Sequence, residues 1–140
     1  MQLLALDPST VATGWACSDG TGGVYRPAPP RSIRLTPDAK LAYTAGRFSA
    51  WLADKITETE AEAVICEAGG APGRGSHLQL MAIVAATCWT RERAFVSVHP
   101  SRWKAWVQRQ DWRRHYRKSD LNDAFAMLLW ALDTLDWVEG

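Results

Sequence analysis

The chain has 140 residues, 47% of them hydrophobic, and carries a formal net charge of +1. This length suits one compact domain over residues 1–140, and the longest apolar run, Leu80 to Trp89, is too short to span a bilayer. The first residues, MQLLALD, lack the basic region and long apolar core of a signal peptide, so we expect a cytoplasmic protein rather than a membrane-spanning or secreted one.

The chain begins with a predicted β-hairpin and a third strand. Residues 2–6 and Thr13 to Cys17 are strand-like apolar segments on either side of a Pro/Ser/Thr turn. A glycine-rich turn follows, after which Val24 to Tyr25 and Ser32 to Leu35 are predicted to supply the third strand.

A long helix and a buried strand come next. Thr36 fits an N-cap, and apolar residues recur at helical spacing over residues 37–56. The run from Ala63 to Cys66 is apolar throughout, as expected for a strand buried on both faces of a sheet. The loop AGGAPGRG after it lacks the GK[ST] ending or GxGxxG spacing of a nucleotide site, so nucleotide binding is not predicted.

The second half of the chain predicts three helices and one further strand. A helix from His77 to about Arg93 leads into a strand from Ala94 to Val98, and Pro100 begins a short helix. Ser119 can cap the last helix. Its apolar positions are predicted to face the sheet: Leu121, Ala124, Phe125, Leu128, Leu129 and Leu132.

Positive charge is concentrated in one segment, Arg102 to Lys118, which we name the basic segment. It holds seven Lys/Arg and one Asp, and aromatic residues alternate with the charges. This composition suits phosphate contacts and stacking on unpaired bases. A solvent-exposed helix whose tryptophans face the core would have a similar composition. At least one of Trp103 and Trp106 is predicted to be core. The candidate DNA contacts are Lys104, Arg109, Arg113, Arg114, Arg117 and Lys118.

Four carboxylates stand at ends of predicted elements, and we name them the acidic cluster. Asp7 and Glu67 end strands, and Asp120 and Asp123 lie three residues apart in the last helix, on one face. Singly, each has a structural explanation, such as a turn or compensation of the helix dipole. Together they predict a site for divalent cations such as Mg²⁺, which prefer oxygen ligands.

The acidic motifs resemble those of RuvC-like Holliday-junction resolvases. LLALDPSTVATGWA is similar to the first motif of that family, VICEAG to the second, and KSDLNDAFAMLLWAL to the closing Asp-x-x-Asp helix. Ser9 replaces the usual glycine, and the stretch between Lys104 and Asp120 is short.

The resemblance implies the α/β fold called ribonuclease H-like, a mixed five-stranded sheet flanked by α-helices. It further implies two Mg²⁺ or Mn²⁺ ions bound by Asp7, Glu67, Asp120 and Asp123, and a catalytic Lys104 near the scissile phosphate. The expected substrate is branched DNA, above all four-way junctions, cut by a homodimer in a bacterial or phage-infected cell.

Other functions remain open. The same acids would serve a nuclease that cuts RNA–DNA hybrids, flaps or forks, and a noncatalytic branched-DNA-binding protein is a further alternative. An actin-like sugar kinase would need two such domains, so we do not expect one from a chain of 140 residues. Ser9 fits a turn better than a nucleophile, since no GxSxG elbow is present. No catalytic role is predicted for the cysteines, expected to be buried free thiols, or for the histidines (Cys17, Cys66, Cys88, His77, His99 and His115).

Overall fold

The computed structural model of the protein describes residues 1–68 and 75–135. In chain order the elements are β1 (Leu3–Asp7), β2 (Thr13–Cys17), β3 (Gly22–Tyr25), α1 (Pro37–Thr59), β4 (Ala63–Glu67), α2 (Gly75–Thr90), β5 (Ala94–Val98), α3 (Pro100–Val107), a 3₁₀ helix (Asp111–His115) and α4 (Asp120–Thr134). The five strands form one sheet of order β3-β2-β1-β4-β5. The strands β1–β2 and β2–β3 pair antiparallel, whereas β1–β4 and β4–β5 pair parallel.

Helices cover both faces of the sheet. Because side chains alternate along a strand, β1 and β4 present one set of apolar residues to α1 and α2 and the other set to α3 and α4. On the first face Leu4 and Val64 pack with Phe48 and Leu52 of α1. The second face includes Trp103 and Trp106, both buried, which confirms that at least one of them is core. The two central strands are therefore buried on both faces.

The helix starts follow the predicted capping chemistry. The Thr36 side chain accepts a hydrogen bond from the Ala39 amide at 3.2 Å, and the Ser119 side chain accepts one from the Asn122 amide at 3.0 Å. No helix in the described part of the chain is long and apolar enough to cross a bilayer. All three cysteines are free and buried, as predicted.

Two sequence predictions about apolar segments are wrong. Residues 32–35 form no strand; they are exposed, and the preceding Pro29 and Pro30 lack the amide hydrogens that pairing with an edge strand needs. Leu129 and Leu132 are exposed, because the buried side of α4 is centred on Ala124, Met127, Leu128 and Ala131 instead. Most of the AGGAPGRG loop, residues 69–74, and residues 136–140 lie outside the described residues.

Candidate acidic site

The acidic cluster lies at one end of the sheet. Asp7 ends β1 and Glu67 ends the neighbouring parallel strand β4, so both carboxyl groups leave the sheet at the same edge. Asp120 begins α4, and Asp123, only 6% exposed, lies in its first turn. The four side chains come from three separate elements, as the sequence pattern predicts.

Gly14 allows α4 to reach this edge. It pairs with Asp7 across the hairpin, and a Cβ atom built on it would lie 1.8 Å from the backbone oxygen of Asp120. Only a residue without a side chain permits that approach. Nearby, the Ser9 hydroxyl donates to the Ala12 carbonyl at 2.7 Å and accepts from the Ala12 amide at 3.0 Å, so Ser9 closes the β1–β2 turn.

Asp7 is the most strongly perturbed carboxyl of the cluster. Burial, a hydrogen bond with the Glu67 side chain and the negative charges of Glu67 and Asp120 raise its pKa from 3.8 to about 8. His77 opposes this shift. Burial is the largest of these causes, and the neighbouring negative charges add to it.

Asp123 is held by a tyrosine of the basic segment. The Tyr116 hydroxyl donates a hydrogen bond to Asp123 Oδ1, and burial together with this contact raises the pKa of Tyr116. Burial raises the pKa of Asp123 as well, while Lys104 and Lys118 act in the opposite direction. Both lysines line one cavity of about 390 Å³ together with Tyr116. The basic segment therefore lies beside the acidic cluster.

His77 is a neighbour of the cluster that sequence reasoning set aside. Its Nε2 lies 2.8 Å from the Glu67 carbonyl oxygen. Because a carbonyl can only accept, Nε2 must carry the hydrogen. This hydrogen bond attaches the first turn of α2 to the end of β4. In the sequence, the only sign of this contact is that His77 lies close to Glu67 in the chain.

The predicted DNA contacts are not all at the cluster. Arg113, Arg114 and Arg117 are exposed; Arg113 donates to the Gln110 carbonyl at 3.1 Å and Arg117 to the Arg114 carbonyl at 2.8 Å. Arg109 lines a different cavity, with Trp130 and Thr134 near the end of α4. Thr134 lies eleven residues beyond Asp123, about 16 Å along a helix, so the structure does not bring Arg109 to the acids.

The cluster suits divalent cations by the chemistry of its donors. All four side chains offer hard oxygen ligands, and a cation would offset the negative charges of Glu67 and Asp120, which help to raise the pKa of Asp7. Within residues 1–68 and 75–135, however, no three Asp, Glu, His or Cys side chains stand close enough to hold one ion as they are placed.

In EDTA the free energy of unfolding is expected to fall as the pH rises from about 5 to about 8. Asp7 has a pKa of about 8 in the folded protein and 3.8 as an ordinary carboxyl, so between these values the folded state binds the proton more tightly. Raising the pH then favours unfolding, by roughly 2 kcal/mol after allowance for partial solvent contact. Denaturant titrations at both pH values measure this. An equally steep dependence in Asp7→Asn would contradict the assignment to Asp7.

Comparison with known proteins finds similarity in structure but not in sequence. No protein-family model and no curated protein sequence matches the chain. RuvC of Thermus thermophilus in complex with a Holliday junction substrate superimposes with a TM-score of 0.72 at 16% identity, covering 94% of this chain and 92% of that one. A second structure of the same resolvase gives a TM-score of 0.71 at 15% identity, covering 94% and 93%.

A yeast protein has the same fold. The mitochondrial Holliday junction resolvase Ydc2 superimposes with a TM-score of 0.56 at 12% identity, covering 91% of this chain and 74% of that one. These matches and the sheet order confirm the predicted ribonuclease H-like fold and its similarity to Holliday junction resolvases.

Proposed function

We propose that the protein is a metal-dependent, structure-selective endonuclease that nicks branched DNA and resolves Holliday junctions. The observation that carries this proposal is the meeting of four carboxylates from three elements at one edge of a ribonuclease H-like sheet. The basic segment beside them supplies positive charge for a polyanionic substrate. A solved neighbour with this fold is bound to a Holliday junction.

In this proposal Asp7, Glu67, Asp120 and Asp123 bind two Mg²⁺ ions, for which Mn²⁺ can substitute. Bound there, the ions would supply an activated water and offset negative charge on the phosphoryl group. The products would be 5′-phosphate and 3′-hydroxyl ends.

The residues around the cluster position and neutralise the substrate. Lys104 and Lys118, which already act on the Asp123 carboxylate, would stabilise negative charge developing on the scissile phosphate. Tyr116 orients Asp123 through its hydroxyl hydrogen bond. The exposed Arg113, Arg114 and Arg117 would contact neighbouring phosphates, whereas the distant Arg109 would contact DNA only well away from the cut.

We further propose that the protein acts as a homodimer, because symmetric cutting of a four-way junction needs two sites related by a two-fold axis. One side of α2 suits such contact. Leu78, Ala82, Ala86 and Trp89 follow at helical spacing, and all are exposed, Trp89 to 87%. We name these four residues the α2 stripe, and a second copy of the chain would cover it.

Trp89→Glu is expected to weaken dimerisation on the order of 100-fold, since a buried tryptophan contributes up to about 3 kcal/mol. Light scattering should give the wild type twice the 15.5 kDa of one chain and the variant a single chain. Leu132→Glu, at an exposed apolar position of α4, is the matched control and should remain dimeric. A dimeric Trp89→Glu would exclude the α2 stripe as the interface, and a monomeric wild type would exclude the dimer.

The function is tested by incubating the protein with a labelled four-way junction, a fork, a flap, a linear duplex and an RNA–DNA hybrid, each with Mg²⁺, Mn²⁺ or EDTA. Paired symmetric nicks in the junction that disappear in EDTA would support a resolvase. Preferred cutting of the hybrid, flap or fork would assign another nuclease activity. Metal-independent binding without cutting of any substrate would show a noncatalytic binding protein.

A further inference from the structure

A second group of arginines begins at the same end of the sheet as the acidic cluster and continues along the segment that leads from β3 to α1. Arg26 directly follows β3, whose last residue, Tyr25, pairs with Thr13 beside Gly14. Arg31 and Arg34 follow in the exposed stretch before α1, and Arg47 lies on α1 itself. We name Arg26, Arg31, Arg34 and Arg47 the arginine surface.

The positive charge of the arginine surface is not compensated within the protein. In the described residues one ion pair forms, between Lys55 and Glu58, so none of the four arginines has a carboxylate within ion-pair distance there. All four are exposed. Exposed cations that lack a carboxylate partner on a nearly neutral protein attract a polyanion.

Contacts between α1 and β3 give this surface a defined shape. The Arg47 guanidinium donates to the Ala28 carbonyl at 3.3 Å and lies 6.0 Å from the ring centroid of Tyr25. The Tyr25 ring stacks on Trp51 with centroids 4.8 Å apart. The segment that leads from β3 is thus attached to α1 rather than projecting freely.

The arginine surface and the basic segment lie on opposite faces of the sheet. Trp51 packs against the hydrophobic core between the sheet and helices α1 and α2. Trp112 and Tyr116 pack against the hydrophobic core on the other face, between the sheet and helices α3 and α4. The acids lie at the strand ends between these faces. Adjacent strands are about 4.8 Å apart, so β3 lies only about 10 Å from β1 and Asp7.

We propose that the arginine surface binds the sugar-phosphate backbone of a duplex arm of the branched substrate, while the basic segment holds the strand on the other side of the acids. The proposal rests on the proposed function. A duplex fits better than unpaired bases, because the Tyr25 ring is already stacked on Trp51 and would not be free to take a base on that face. Arginine contacts to phosphates would position the arm without reading its sequence.

The test compares Arg31→Gln/Arg34→Gln with Arg91→Gln/Arg93→Gln. The second pair removes the same charge at the opposite end of the sheet, where Ala94 begins β5. Four-way junction affinity is measured in EDTA over a range of salt concentrations. When the logarithm of the binding constant is plotted against the logarithm of the salt concentration, the slope for the first variant should be smaller in magnitude by about 1.8. Each lost phosphate contact removes about 0.9 from that slope. The control should match the wild type.

A slope equal to that of the wild type, or an equal change in the control pair, would overturn the proposal. Because binding is measured without metal, the result is separate from the proposed function. Cleavage with an unchanged slope would leave the nuclease and remove the arginine surface from the interface. A reduced slope without cleavage would support the arginine surface as a DNA-binding site and contradict the proposed nuclease activity. Thermal unfolding of both variants checks folding, since Arg91 also donates to the Thr57 hydroxyl at 2.8 Å.

Discussion

Asp7→Asn is expected to lower the rate of junction cleavage on the order of 10³-fold, a loss of about 4 kcal/mol of transition-state stabilisation. The charges of Glu67 and Asp120 act on Asp7, and that of Asp7 acts on Asp123, so Asp7 lies at the centre of the cluster. An amide offers one weaker oxygen ligand in place of the carboxylate, and it has no negative charge to offset that of a divalent cation. Single-turnover cleavage of a labelled junction in Mg²⁺ measures the effect.

The variant should still bind the junction in EDTA as tightly as the wild type, because both basic surfaces are unchanged. Its stability near neutral pH should not fall, because the substitution removes a carboxyl whose ionisation burial disfavours. Asp54→Asn, at an exposed position of α1, is the charge-matched control and should cleave normally. Cleavage by Asp7→Asn at the wild-type rate would refute the metal-dependent mechanism.

Gly14→Ala should both destabilise the protein and reduce cleavage. The added methyl group would lie 1.8 Å from the Asp120 backbone oxygen, and backbone cannot rotate away as a flexible side chain can. We expect a loss of roughly 3 kcal/mol in the free energy of unfolding. The start of α4 must also shift, and a displacement of about 1 Å can cost about 100-fold in rate. Denaturant titration and cleavage kinetics measure the two effects.

Gly46→Ala is the control for this substitution. Gly46 lies inside α1, and a Cβ atom there meets nothing within 4 Å. Alanine should therefore stabilise the protein by about 0.5–1 kcal/mol, as expected for glycine replaced inside a helix. If Gly14→Ala proved as harmless as Gly46→Ala, the close approach of α4 to β2 would not occur in solution.

The fold was predictable where local pattern and burial agree. Apolar runs, spacing and capping residues predicted a buried strand from Ala63 to Cys66 and a helix over residues 37–56, which the structure has as Ala63–Glu67 and Pro37–Thr59. Prediction failed for residues 32–35, where a strand-like composition lies on the surface next to prolines. It failed again for Leu129 and Leu132, which are exposed. The sequence shows which residues of a helix are apolar, but not how many of them the sheet covers.

The positions of the four acids at the ends of strands and at the start of a helix could be predicted from the sequence, but the contacts around them could not. Acids at element ends mark the cluster, yet nothing local shows that Tyr116 donates to Asp123 or that His77 contacts the Glu67 carbonyl. The need for glycine at position 14 likewise depends on Asp120, far away in the chain. Such requirements arise only when separate elements pack together.

The burial of every thiol makes the protein suitable for site-specific fluorescent labelling. Cys17, Cys66 and Cys88 are the only cysteines, and burial raises the pKa of each thiol, that of Cys88 to about 11. Since the thiolate is the reactive form, maleimide dyes should leave them unmodified near neutral pH. A single cysteine introduced at the exposed Arg31 would then carry the only dye, and energy transfer to labelled junction arms would report which arm approaches it.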